Sequence, residues 1–160
     1  MKIIYHCYGS AHTSVIASAI HVGMLPTNRV PSSKEILTLP YYDKASNKQI
    51  GIPYYIGVDE FNSDIYILGL ANKKDVVIRF ILSLLKICEI PSKQLLMVDS
   101  LAEINLLTRF GGFLSRRMGL VKLGRPMTVK GIQTGYFRFV RLVNEVKKKV
   151  KNNTQGENLK

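Results

Sequence analysis

The residues best suited to chemistry stand near the start of the chain, in Cys7-Tyr8-Gly9-Ser10-Ala11-His12-Thr13-Ser14. Gly9 allows the backbone to approach a ligand closely, and Ser10, Thr13 and Ser14 supply hydroxyl donors. Small and hydroxylated residues at this density make a cradle for an anion. The expected ligand-binding set is Gly9, Ser10, Ala11, His12, Thr13 and Ser14, joined by Arg125 from the far end of the chain. Three residues are candidates for catalysis: Cys7 as a thiolate nucleophile, His12 as a titrating group, and Asp99 as a carboxylate at a strand end. A purely structural turn, with Ser10 capping the following helix, is the competing reading.

The flanking elements explain why the stretch is placed to act. Lys2-Ile3-Ile4-Tyr5-His6 is short, β-branched and aromatic, which predicts a strand. Val15 to Val22, closed by Gly23, predicts a helix. A helix N-terminus carries free N–H groups and a partial positive charge, so a strand–turn–helix of this composition predicts an anion site. Leu95-Leu96-Met97-Val98 is a continuous apolar run ending in Asp99, the pattern of a buried parallel strand. Asp99 and residues 7–14 would share one sheet edge if the two strands are parallel neighbours.

The remaining chain predicts an alternation of strands and helices. Ser32-x-x-Glu35 is a capping box, and residues 41–53 read as a polar excursion. Residues 54–58 and 65–70 read as the strands of a β-hairpin about Asp59-Glu60-Phe61-Asn62-Ser63-Asp64. Residues 73–88 carry an apolar stripe (Val76, Val77, Phe80, Ile81, Leu84, Leu85) with Asn72 as N-cap and Cys88 as a core thiol. Ser100-x-x-Glu103 caps a helix whose stripe is Ile104, Leu107, Phe110, Leu114 and Met118. Within it, Gly111-Gly112 suggests a kink or close backbone approach. Residues 120–123 read as a short strand and Gly124-Arg125-Pro126 as a turn. A last helix over 129–149 turns Ile132, Tyr136, Phe139, Val140 and Val143 inward. The expected fold is a three-layer α/β domain over residues 1–150, with a mostly parallel sheet, a β-hairpin insertion and a P-loop/Rossmann-like plan. Residues 151–160 are expected to form a frayed basic and polar tail.

Charge is distributed unevenly along the chain, whose formal net charge is +12. Residues 1–105 carry 10 basic and 9 acidic side chains, whereas residues 106–160 carry 13 basic and 2 acidic ones. The basic C-terminal half suits nucleic acid or an acidic partner, or a merely solvated surface. No base-reading motif accompanies it. No apolar run reaches membrane-spanning length and no signal-peptide pattern precedes the first strand, so no membrane association is expected. Two cysteines, Cys7 and Cys88, make no disulfide framework, and a cytoplasmic location is expected. Asp59, Glu60 and Asp64 have oxygen ligands for a hard cation, but they also suit a solvated turn, which is the expectation. The spacing of His12 and His21 does not set them on one helix face, and no metal site is expected. The sequence names no cofactor and no oligomeric state.

Two known phosphate loops resemble the stretch. Gly9 to Ser14 is similar to the end of a P-loop, with Leu95 to Asp99 similar to its hydrophobic partner strand. The likeness implies Thr13 on Mg²⁺ with Asp99 in support. Ala11 and His12 depart from that pattern, since they replace the glycine before the lysine and the lysine itself. Cys7, Gly9, Ser14, Ala17 and Ala19 resemble the loop of low-molecular-weight tyrosine phosphatases, which implies Cys7 as nucleophile. Thr13 stands where that loop has its arginine, and Thr cannot clamp a phosphoryl group bidentately. Taken whole, the chain resembles a domain-of-unknown-function family of small proteins from Gram-positive bacteria. That likeness rests on Tyr5 to Ser14, Ala19 to Pro26, Gly111 to Arg116 and Gly124-Arg125-Pro126. It implies a bacterial cytoplasmic protein and no particular activity.

The functional expectation is binding of a phosphate-bearing small molecule or nucleotide at residues 7–14. The alternatives are nucleic-acid or acidic-partner binding through the basic half, and a Cys7-dependent phosphatase-like enzyme. At the first helical turn His12 would be favoured in its protonated form by a bound dianion.

Overall fold

The structure, a computed structural model, describes residues 1–45, 47–101 and 121–157, with the side chains of 47, 121–123 and 154–157 left aside. The helix expected over 101–118, with its Gly111-Gly112 pair and arginines, therefore lies outside the described residues. Four strands form one open sheet in the order β2-β3-β1-β4. They are β1 (Lys2–Cys7), β2 (Tyr54–Val58), β3 (Asp64–Gly69) and β4 (Leu95–Asp99). β1 runs parallel to both β3 and β4, and β2 pairs antiparallel with β3 through an irregularity between Tyr55 and Gly57. β3 is thus an inner strand of the sheet. Five helices are described: α1 (Thr13–His21), α2 (Ser33–Thr38), α3 (Lys74–Ile87), α4 (Val121–Thr134) and α5 (Tyr136–Glu157).

Strand alternation sorts β1 into two faces. Ile3, Tyr5 and Cys7 face one side with their register partners Ile65, Ile67 and Gly69 on β3. The first two rows join Val15, Ile16, Ile20, Ile36, Ile132, Phe139 and Val143 in one apolar core, so α1, α2, α4 and α5 share that face. The row His6, Leu68 and Asp99 occupies the other face at its C-terminal end. α3 begins there, with Lys74 paired to Asp99 at 2.8 Å.

Local signals hold where they are strongest. Ser32 and Glu35 complete both halves of the capping box at α2, and Ile132, Tyr136, Phe139, Val140 and Val143 are all buried. Four expectations need correction. Val121 to Pro126 is helical rather than strand and turn, with Pro126 inside α4. The proline forfeits one bond to the preceding turn, and Thr128 Oγ1 binds the Arg125 carbonyl at 2.8 Å. The last helix is two, divided at Gly135, and helical backbone continues past the lysine run to Glu157 as Val146 and Val150 remain buried. The N-cap of α3 is Lys73 rather than Asn72. Finally, no residue of α3 is fully buried, Phe80 is 64% exposed, and Cys88 is exposed rather than a core thiol. Periodicity defines an apolar face but not what covers it. No helix among the described residues is long and apolar enough to cross a membrane.

Candidate functional site

β1 delivers Cys7 to the C-terminal edge of the sheet, and its two neighbours hold the loop that follows. On the β3 side, Leu70 N–H donates to the Cys7 carbonyl at 2.9 Å and Ala71 N–H to the Tyr8 carbonyl at 2.8 Å. Gly69 lies under the loop so closely that a Cβ there would stand 3.1 Å from backbone atoms of Gly9 and 3.2 Å from Ser10 N. On the β4 side, Ser100 donates to the His6 carbonyl through its amide at 3.0 Å and its hydroxyl at 2.7 Å. The Ser100 proton being used, Thr13 Oγ1 is the donor in its 3.4 Å contact with Ser100 Oγ. The chain leaves β1 toward β3 and later returns to β4 on the other side, so the β1/β4 crevice is the topological switch point. Asp99 lies at that edge beside His6, as parallel pairing requires.

Ser10 is the anomaly in this loop. It is 1% exposed, sits at φ 51°, and its hydroxyl has no hydrogen-bond partner. A non-glycine residue in left-handed backbone costs roughly 1–3 kcal/mol, and an unsatisfied buried hydroxyl costs about as much again. The strain is concentrated here. Of the six non-glycine residues with positive φ among those described, Ser10, Asp43 and Ala71 lie in or against this loop. Asp43 N–H donates to the Ala11 carbonyl at 2.9 Å. Ser10 does not cap α1: the N-cap is His12, and no side chain caps the helix. Among the described residues, no side chain accepts from the first N–H groups of α1.

The other expected residues fall into three groups. Cys7 Sγ lies 3.1 Å from Ser14 Oγ, in a buried contact in which either group can donate. Asp99 accepts from Lys74 Nζ at 2.8 Å and from Leu101 N–H at 2.9 Å. Burial acts to raise its carboxyl, and these partners outweigh it and hold it below the usual value. His12 Nε2 lies 3.3 Å from Asp43 Oδ1, and Arg125 Nε donates to Asp43 Oδ2 at 2.8 Å. His12 and Arg125 are thereby brought together, on a carboxylate that the sequence reading passed over. Ser10, Ala11, Thr13 and Ser14 are all buried, while Tyr8 is exposed and Gly9 and His12 are partly so, forming the rim. A groove of about 560 Å³ between α2 and α4 has Arg125 in its wall, with Leu37, Pro126 and Val129.

Two histidines remain, one on each face of the sheet. His6, on the opposite face, is buried with Nδ1 unpartnered; burial lowers its pKa, Asp99 opposes this and Lys74 reinforces it. His21 ends α1, fully buried and fully engaged. Its Nε2–H donates to Asp59 Oδ2 at 3.1 Å, which leaves Nδ1 to accept from the Tyr5 hydroxyl at 2.7 Å. Asp59 Oδ1 takes the Phe61 and Ser63 N–H groups, Asp64 pairs with Lys2 and Glu60 with Lys147. The three acids of that turn thus point to separate partners.

Sequence reading missed Asp43, Gly69, Lys74 and Ser100. Only Gly69 carried a usable signal, since an isolated glycine in a strand pattern marks a close backbone approach. These features define an α/β protein with a polar strand–loop–helix at the C-terminal edge of its parallel strands. Residues 2–148 match the family described as Protein of unknown function (DUF3189), and the chain belongs to that family. No curated protein and no solved structure matches it.

Proposed function

We propose that the protein binds a phosphate-bearing small molecule or nucleotide at residues 7–14, in a P-loop/Rossmann-like arrangement. The observation that carries this reading is the buried, unpartnered Ser10 hydroxyl, held in strained backbone just before the uncapped N-terminus of α1. An anion would satisfy both the hydroxyl and the helix N–H groups. Gly9 would permit close backbone approach, Thr13 and Ser14 would add donors, and the switch-point position favours a ligand there. Calorimetric titration with inorganic phosphate, AMP and ATP tests it. Binding is expected for at least one, and Ser10→Ala is expected to weaken it roughly 3- to 10-fold, one neutral hydrogen bond's worth. No binding of any of the three would overturn the reading.

Two further readings each have one supporting observation. The outer face of α5 exposes Arg138, Arg141, Lys148, Lys149 and Lys151, with Glu145 the one exposed acidic residue of this helix among those whose side chains are described, which favours a polyanion such as nucleic acid. A gel shift that weakens steeply with salt is the expected result, and no retardation at low salt removes this reading. Cys7, at the end of β1 and in contact with the Ser14 hydroxyl, stands where the nucleophile of a phosphatase-like enzyme would. Equal turnover of an aryl phosphate by Cys7→Ser would exclude it.

A further inference from the structure

His12, Asp43 and Arg125 come from three separate segments, with 31 positions between the first two and 82 between the last two. Asp43 is 4% exposed at its side chain and adopts φ 54°, a strained backbone that aims its amide at Ala11 and its carboxylate at His12. A carboxylate only accepts, so His12 Nε2 carries the proton in this contact. In the neutral ring that leaves Nδ1 with the free lone pair, and Nδ1 is the ring nitrogen covalently nearer the His12 backbone. Arg125 balances the Asp43 charge from the other side. Tyr42 meets the His12 ring edge-on at 5.4 Å between centroids, restricting its rotation. Asp43 and, through it, Arg125 are the charged groups facing His12 among the described contacts.

We propose that Asp43 is a positioning residue that fixes His12 in the Nε2–H form and presents Nδ1 to a small dianionic oxyanion of the phosphomonoester class. This rests on the anion reading of residues 7–14. The second mark of a ligand beside the α1 N-terminus is the unpartnered Ser10 hydroxyl. When the dianion binds, one proton from solvent joins Nδ1, and the new Nδ1–H donates to a ligand oxygen. The negative charge that makes this favourable comes from the ligand, because Arg125 already offsets Asp43. Binding is therefore linked to uptake of one proton.

Sulfate is the diagnostic probe, since it stays dianionic between pH 6 and 8, whereas phosphate titrates in that range. The wild type is expected to bind sulfate more tightly as pH falls from 8 to 6, by up to tenfold per pH unit, with one proton taken up as measured in buffers of different ionisation enthalpy. Asp43→Asn keeps a residue suited to left-handed backbone, but its amide can accept from or donate to Nε2 and so fixes no single tautomer; it is expected to weaken binding and reduce the pH dependence. His12→Gln is expected to abolish it. Nitrogen NMR of the free protein is expected to show His12 as the Nε2–H tautomer. Sulfate binding with no pH dependence, or with an unchanged dependence in Asp43→Asn, would overturn this inference and leave the anion site standing. An Nδ1–H tautomer in the free wild type would overturn it without any ligand. No binding of sulfate or phosphate at either pH would overturn this inference, and no binding of AMP or ATP besides would overturn the anion site with it.

Discussion

The two ends of α1 hold two polar clusters of opposite character. At its C-terminus, His21 is fully buried and each ring nitrogen has a partner, Tyr5 on one side and Asp59 on the other. At its N-terminus, Ser10 is equally buried and has none, and its backbone is strained. A complete buried network stabilises one conformation. An incomplete one, kept against its energetic cost, points to a ligand that completes it. The same helix thus carries an anchor at one end and a candidate site at the other.

The contrast breaks most sharply if the anchor is cut. His21→Ala is expected to destabilise the fold by about 3–5 kcal/mol, since it leaves a cavity and strips partners from a buried carboxylate and hydroxyl. Urea denaturation measures this, and phosphate affinity of the folded fraction is expected to stay unchanged. Gly69→Ala acts at the other end: the added methyl presses on Gly9 and Ser10 backbone. A loss of about 1–3 kcal/mol is expected, together with weakened anion binding, because the loop has to shift. Ser10→Ala sharpens the comparison by its sign. Removing an unsatisfied hydroxyl is expected to raise stability by about 1 kcal/mol while lowering anion affinity, so stability and binding move in opposite directions.

Acidity offers a milder test of the anchor, together with the buried His6 on the opposite face of the sheet. Burial lowers the pKa of His21, with Asp59 opposing, and lowers that of His6 in the same way. The unfolded chain therefore takes up protons first as pH falls. The stability these neutral rings contribute is present above the unfolded value of about 6.5 and is lost as pH falls from there through the folded values. Denaturation midpoints in urea are expected to drop between pH 7.5 and 5.5, and His6→Asn to reduce the slope. A flat profile would mean that neither ring is held neutral.

Much of the scaffold was legible because its causes are local. A β-branched strand, a small-residue turn and an apolar helix follow one another within residues 2–22, and β1, the loop and α1 stand there. The capping box at Ser32 and the inward stripe of α5 are likewise short-range, since three- and four-residue steps decide them. The parallel strand at Leu95–Asp99 was legible in its unbroken apolar run, whereas its place beside β1 was only a condition of the sequence reading, and of its residues Val98 alone is fully buried. Only the tertiary structure decided the rest. Whether Phe80 and Cys88 are covered depends on neighbours remote in sequence, as does the helical state of residues 121–126 around Pro126. The site divides in the same way. The loop could be read from its own eight residues, whereas the lone hydroxyl of Ser10 and the joining of His12 to Arg125 on Asp43 could not. Hydrogen-bond satisfaction is a property of which distant groups arrive at an atom, and chain folding, not local composition, sets that arrival.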